Sequence, residues 1–264
     1  MDEHRAMQLP LLGEMTLPSN NAETVYVVFL LLFCFSGVNE ATESTATPYS
    51  KFAKKSTAPQ VSSRIGMLVI YTPAALLSLY MRWQGLSGRA ELVNILLFVH
   101  FGKRVAEVLF VHVYSGSMDV GKAMSVIVSA YTFNTYMSHR FAGQLAHPNP
   151  GLVLPGLALF VVGQGINGYH HMLLASLRRG VPADKATEYK IPRGGLFEGT
   201  TCPHFFGEVL AWFGIALLNQ HVGTWLLAGG MLSYLAGRSY GTTRWYKAKI
   251  DGYPRRKHMV PCVW

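Results

Sequence analysis

The sequence predicts an all-α, polytopic membrane fold, a single bundle of seven transmembrane helices. Three observations carry that reading. Only 14% of the 264 residues are charged, against about 25% in a soluble domain. The deficit falls in long apolar blocks rather than evenly. Lys and Arg, which give a formal charge of +9, gather between or beside those blocks, as interfacial anchors and anionic-headgroup contacts do. A nucleic-acid binder would spread basic residues over a solvated face with aromatics between them, so no nucleic-acid partner is expected. The three cysteines, Cys34, Cys202 and Cys262, are widely spaced and suggest neither a disulfide framework nor a zinc pattern.

Residues 1–20 are polar, carry Pro10 and Pro18, and read as a loose leader. Residues 21–264 read as one membrane domain. The first span covers 24–38 and, with its flanks, approaches the roughly 20 residues needed to cross. It has the character of a signal anchor. Residues 39–63 are rich in Ser, Thr, Ala and Pro and form a loop, with a short ordered piece at 48–52. The second span, 65–81, is distorted by Pro73, which removes an internal hydrogen bond. Arg82 and Trp83 mark its interface end, and 85–88 turns the chain.

The third span, 91–114, is the anomalous one. It contains His100, Lys103, Arg104, Glu107 and His112. Positions 100, 103/104 and 107 share one helical stripe, and Lys103 and Glu107 have the spacing of an ion pair. Charge inside a span is costly, so the stripe reads as a polar track facing the bundle interior. An early exit of the helix from the membrane is the competing reading. The fourth span, 120–140, carries Asn134 and several hydroxyls toward neighbours. H-P-N-P-G at 147–151 makes a hard turn. The fifth span, 152–177, contains G-Q-G-I-N-G-Y-H-H, whose glycines permit close backbone approach or a broken helix. The sixth and seventh spans cover 205–218 and 224–237. A basic, aromatic tail at 238–264 follows, and its charge bias places the C-terminus in the cytosol.

Three constellations carry chemistry. Asn167, His170/His171 and Arg178 lie at a span end, where arginine can fork a phosphate; polar capping with snorkelling arginines is the bland counterpart. Adjacent histidines point about 100° apart on a helix and make a poor metal pair, so no metal is expected. The second is 189–208, Y-K-I-P-R-G-G-L-F-E-G-T-T-C-P-H-F-F-G-E, dense in charge yet flanked by apolar runs. Pro203 suits a helix first turn, which would put His204 and Glu208 on one face. Glu208, set in an apolar span, then needs a partner or a ligand. Cys202 has no positioned base and is not expected to be a nucleophile. The third is R-W-Y-K at 244–247, a phenol beside cations or an ordinary interface anchor. No G-x-G-x-x-G, P-loop or H-E-x-x-H occurs, so a nicotinamide cofactor would not sit on a Rossmann domain. The residues alone reach an enzyme or transporter with a polar interior and phosphate-friendly loops.

Six motifs extend this: G-Q-G-I-N (163–167), L-x-x-L-R (174–178), Y-K-I-P-R-G-G-L-F-E (189–198), C-P-H-F-F-G-E (202–208), R-W-Y (244–246) and Y-P-R-R-K-H-M-V-P (253–261). On them the region about 105–264 resembles the steroid 5-alpha-reductase family, which also holds very-long-chain trans-2-enoyl-CoA reductases. Weaker similarity reaches upstream through P-Y-S-K-F (48–52) and S-R-I-G-M-L-V-I-Y-T-P-A (63–74). The pattern is most similar to plant steroid-reductase-like members, while K-R-x-x-E-x-L-F-V-H (103–112) leans toward the enoyl-CoA branch.

The resemblance implies a seven-helix bundle in the endoplasmic reticulum membrane and NADPH-dependent reduction of a double bond conjugated to a lipid carbonyl. The lipid would be a steroid or an acyl-CoA, with fatty-acid elongation partners in the second case. A non-catalytic lipid-binding or scaffold protein is the remaining alternative. Carried over by motif, Asn167, His171, Arg178, Tyr189, Lys190, Arg193, His204 and Glu208 become cofactor-side candidates and Tyr246 a catalytic one; Tyr71, with Lys103 or Arg104 supplying positive potential, is a catalytic candidate where the chain departs from the family pattern. His204 stands where steroid reductases have asparagine, and His171 where they have aspartate. The glutamate and tyrosine that grip a steroid ketone in that family are replaced here by Tyr71 and Phe101. Tyr71 could itself donate to a carbonyl oxygen, or simply pack beside Pro73.

Overall fold

The computed structural model describes residues 6–10, 12–42, 47, 59–114, 116–144, 147–181 and 189–264. The expected ordered piece at 48–52 and Lys51, Lys54, Lys55 and Lys185 lie outside them. Eight α-helices make up most of the described chain: α1 (Asn21–Phe33), α2 (Ser36–Ala41), α3 (Ser63–Arg82), α4 (Gly88–Ala106), α5 (Lys122–Ala142), α6 (Val153–Ser176), α7 (Pro203–Asn219) and α8 (Val222–Lys249). Two short antiparallel ladders accompany them, β1 (Ala6–Leu9) with β2 (Gly13–Thr16) and β3 (Gln60–Ser62) with β4 (Ser117–Asp119). Among the described residues, three segments are long and apolar enough to cross a membrane, Asn21–Ala41, Ser63–Arg82 and Pro150–Ser176.

Each expected span coincides with helix, but the ends differ for physical reasons. The leader is not loose at 6–16: it forms the β1–β2 hairpin, and Thr16 N–H donates to the Gln220 carbonyl at 2.9 Å. Asn20 caps α1 by accepting from the Glu23 N–H at 3.0 Å, and Glu23 reaches back to the Ser19 N–H at 2.8 Å. The first span is two helices, divided at Cys34 and Phe35. α3 runs through Pro73. The third span does not continue regularly to 114: α4 gives way to a π-helical turn, Glu107–Val111, and then to extended chain. π-turns are rare and tend to occur where a site must be shaped. α8 continues beyond the expected 237 to Lys249, so the first half of the basic tail is helical. There Arg238 is buried and donates to Glu40 at 2.8 Å, tying α2 to α8.

α3, α4 and α5 pack on one another, α6, α7 and α8 form a second group, and α4 meets α7 between them. Arg89 fastens one end, donating to the carbonyls of Ala142 (2.9 Å), Leu218 (3.1 Å) and Asn219 (3.3 Å). These are the C-terminal ends of α5 and α7, where orphan carbonyls and the helix dipole favour a cation. α6 is not broken by its glycines; they permit close approach instead. A Cβ on Gly207 would stand 2.6 Å from the Asn167 backbone N, and one on Gly214 would stand 2.6 Å from the Gly156 carbonyl oxygen. Gly156 and Gly163 face Gly214 and Gly207, so α6 and α7 run antiparallel along a seam of glycines.

This seam makes Gly207→Val a test of the packing. Valine there must separate the two backbones, and overpacking of this kind costs about 1–3 kcal/mol or more. A clear drop in unfolding temperature in detergent is expected, whereas Gly199→Ala, whose added Cβ meets nothing within 4 Å, should leave it unchanged.

Candidate active site

The α6–α7 seam sets Asn167 against the first turns of α7. Its Nδ2 donates to the His204 carbonyl at 3.0 Å and to Glu208 Oε2 at 3.2 Å. α7 begins at Pro203, so His204 and Glu208 occupy the same face, as the spacing predicts. The Glu208 carboxylate also meets His100 Nε2 at 3.2 Å and accepts from Trp212 Nε1 at 3.3 Å. His100 Nδ1 lies 2.8 Å from Gln164 Nε2, so that nitrogen is the acceptor of a ring whose Nε2–H faces Glu208.

α4 and the π-turn supply the other half. Lys103 Nζ donates to Asn167 Oδ1 at 2.6 Å and to Glu107 Oε1 at 2.7 Å. Arg104 Nη1 donates to Glu107 Oε2 at 2.9 Å, and its Nη2 donates to the Tyr71 hydroxyl at 2.6 Å. His171 Nδ1 lies 3.0 Å from the same Glu107 oxygen and 3.0 Å from Arg104 Nη1. His100 and Glu107 are only 3% and 5% exposed. Both side chains thus face the interior of the bundle, as the charged stripe predicts. Two cations, Lys103 and Arg104, balance two carboxylates, Glu107 and Glu208. Every one of them is also hydrogen-bonded, the condition under which buried charge is tolerable.

Aromatic side chains wall this cluster. Tyr71 stacks on Tyr131 with centroids 5.8 Å apart, and Phe101 packs against Tyr131 at 5.7 Å and Trp212 at 6.3 Å. The two adjacent histidines of α6 have separate jobs. His170 bonds the Ile166 carbonyl through Nδ1 at 2.7 Å and accepts the Leu196 N–H at Nε2, 3.0 Å, which pins the 3₁₀ turn Gly195–Glu198. His171 alone enters the polar cluster. Glu107, His112 and His171 together have the composition of a metal triad, with ligand atoms within 4.8 Å of one another. The Arg104 guanidinium already stands against two of the three, so its charge meets the cation requirement of that corner.

The remaining sequence candidates form a second group. Tyr189 packs against Trp245 at 4.6 Å, the Arg178 guanidinium lies 6.0 Å over the Tyr189 ring, and Tyr246 stacks on Tyr253 at 5.1 Å. Lys190 is exposed, and Arg193 forms an exposed pair with Glu198 at 3.2 Å. The Gly194 N–H and then the Arg193 guanidinium hold the Glu198 carboxyl below its usual range. The segment is fixed to the C-terminal strap by Thr201 N–H to the Lys257 carbonyl (2.8 Å) and Cys202 N–H to the His258 carbonyl (2.9 Å). Arg256 adds a bond to the Pro192 carbonyl at 2.9 Å. Arg178 links the two groups, donating to the carbonyl of Val113, next to His112.

Seven sequence candidates thus meet in one cluster: Tyr71, Lys103, Arg104, Asn167, His171, His204 and Glu208. Tyr246, Arg178 and Tyr189 share the second group. The sequence-derived set lacked Glu107, His100, His112, Gln164 and Trp212. The i,i+4 spacing of Lys103 with Glu107 marked that carboxylate as an ion-pair partner without making it a site candidate, and the same spacing of Glu208 with Trp212 was a signal left unused.

Glu107→Ala would leave two partly buried cations without their shared, buried carboxylate. Breaking one partner of a buried pair costs about 3–5 kcal/mol, so a large fall in thermal stability is expected. Arg193→Ala, at the exposed pair, should not change stability measurably.

The family profile described as "3-oxo-5-alpha-steroid 4-dehydrogenase" matches residues 119–264. The chain is 31% identical over 233 residues to "3-oxo-5-alpha-steroid 4-dehydrogenase 1" of Macaca fascicularis, covering 82% of this chain and 85% of that protein. It is 30% identical to "Steroid 5-alpha-reductase DET2" of Gossypium hirsutum, covering 82% and 88%. It is 33% identical to "Very-long-chain enoyl-CoA reductase" of Dictyostelium discoideum, covering 62% and 54%. The profile match and the extent of these identities place the chain in the 3-oxo-5-alpha-steroid 4-dehydrogenase family, which joins steroid 5-alpha-reductases and enoyl-CoA reductases.

Proposed function

We propose that this chain reduces a carbon–carbon double bond conjugated to a lipid carbonyl, using NADPH, as a seven-helix bundle of the endoplasmic reticulum membrane with a cytosolic C-terminus. The observation that carries the reading is the Tyr71 hydroxyl held 2.6 Å from Arg104 Nη2, in the same cluster as Asn167 and Glu208. Family members grip a ketone with glutamate and tyrosine; Tyr71 and Phe101 take those places here. Arg104 donates to the phenol oxygen, so a substrate carbonyl at this corner would meet the phenol and its guanidinium together. The guanidinium then stabilises negative charge on the phenol as it develops, which is the preorganised electrostatic support such a reaction needs.

The residues present fit the cofactor. Gln164 Oε1 is buried and has no hydrogen-bond partner among the described residues, so it can accept from a carboxamide. Asn167, Glu208 and the backbone around His204 offer further amide and carboxylate partners. Arg178, Lys190 and Arg193 carry charge suited to phosphates, with Tyr189 and Tyr246 as aromatic surfaces beside them. A bound reduced nicotinamide supplies a hydride. The chain's own work is to orient the carbonyl at Tyr71, exclude water with Phe101, Tyr131 and Trp212, and deliver a proton.

The substrate is assigned first as a 3-oxo-4-ene steroid, in line with the relatives covering most of the chain. A trans-2-enoyl-CoA is the second reading, favoured by K-R-x-x-E, whose three charged side chains are all joined; an elongation complex would then supply partners.

Purified protein in detergent, offered each substrate with NADPH and followed to identified products, decides between them. Tyr71→Phe should lower kcat by about 10²–10³-fold, as loss of an oxyanion donor does, while NADPH affinity stays within twofold. Binding of NADPH with no turnover of either substrate would point to another conjugated lipid. Absence of NADPH binding would favour a lipid-binding or scaffold role.

A further inference from the structure

Reduction of a conjugated double bond consumes a proton along with the hydride. If Tyr71 gives that proton, its phenolate must be reloaded, yet Tyr71 is only 6% exposed. The residues behind it are suggestive. Arg104 holds His171 at Nη1 and Tyr71 at Nη2, so imidazole and phenol stand on neighbouring corners of one guanidinium. The guanidinium itself keeps its protons in proteins, so it can position the two groups without carrying the transfer. His112, partly exposed, packs edge-on to His171 with ring centroids 5.0 Å apart. The π-turn makes this possible: its i→i+5 bond, His112 N–H to the Glu107 carbonyl at 2.8 Å, closes the wide loop that sets His112 and Glu107 against the same His171 ring.

We infer that His112 and His171 form a proton-supply path to Tyr71, with Glu107 fixing the His171 ring and Arg104 holding imidazole and phenol together. This deepens the reductase reading above and rests on it. The step balances simply. The Tyr71 O–H bond breaks and its proton passes to the substrate, at the enolate oxygen or the α carbon. The phenolate takes a proton from His171 through a bridging water. In the same relay His112 protonates the opposite nitrogen of the His171 ring and bulk water reprotonates His112, so neither imidazole is left as an anion. Electrons come only from the hydride donor, and one proton is drawn from solvent per turnover.

The charged and titratable groups around His171 are Glu107, Lys103 and Arg104 from α4 and the π-turn, His112 after it, and His204 from α7, whose ring centroid is 5.5 Å away. Tyr71 approaches from α3 through Arg104. His112 faces His171 and Tyr114, within the field of Glu107, Lys103 and Arg104. Replacing His112 therefore alters the outer end of the path without removing a group that touches Asn167, Glu208 or Tyr71. It is the positioning residue to test.

The experiment uses full-length protein in detergent with the substrate that wild type turns over, and His112→Gln with His112→Asn as the second variant. Unfolding temperature and NADPH affinity without acceptor are measured first; both should match wild type. The expected result is a kcat lowered by about tenfold or more, less than the roughly 10²–10⁴-fold of a group that meets the substrate directly, because His112 acts through His171. The solvent deuterium isotope effect should rise, the rate should fall away at lower pH than in wild type, and added imidazole should restore turnover. In ring-nitrogen NMR of histidine-labelled protein, His171→Gln should shift the His112 resonance and its titration midpoint. Wild-type kcat, pH profile and isotope effect in either folded His112 variant would overturn the path while leaving the reductase reading intact. A wild-type protein that reduces no conjugated lipid would overturn both.

Discussion

Two helix backbones touch at Gly163 and Gly207, and much of the site depends on that contact. With any side chain there, α6 and α7 would stand apart, and Asn167 could not reach both the His204 carbonyl and Glu208. Small residues at helix interfaces allow this approach, and van der Waals contact along the seam takes over the role that hydrophobic burial plays in water. Asn167 then acts as a two-sided splice, its amide nitrogen toward α7 and its oxygen toward Lys103 of α4. Three helices are joined at one side chain.

Burying so many charges requires that each be answered. Lys103 and Arg104 would destabilise an apolar bundle on their own, as would Glu107 and Glu208. Together they neutralise one another, with His100, His171, Trp212 and Tyr71 completing the hydrogen bonds. Such a network fixes positions more than it adds stability. The π-turn belongs to the same logic: at the end of α4 the helix widens, and Glu107 and His112 both meet His171.

Sequence and structure agree where the physics is local. The apolar blocks located each helix, Pro203 marked the start of α7, and the spacing of Lys103 and Glu107 gave their pair. Motif resemblance selected Asn167, His171, His204 and Glu208 before any contact was known. What differed had a long-range cause. The leader looked loose because its hairpin is held by a partner more than two hundred residues away, at Gln220. The last helix looked shorter because Arg238 reads as an interface residue until Glu40 is placed beside it.

Taken alone, the amino-acid order determined most of the helical elements, the membrane-spanning length of three apolar segments, the family and most of the candidate residues. Those follow from apolar periodicity, turn chemistry and motif, all of which act over short stretches of chain. Only the tertiary structure decided that His171 rather than His170 enters the cluster, that Tyr71 rests on Arg104, and that Arg178, Tyr189 and Tyr246 form a separate group. Side-chain pairing across helices depends on how closely the backbones approach and how the helices are rotated. Those quantities are set by the whole packing of the bundle, so no single stretch of sequence encodes them.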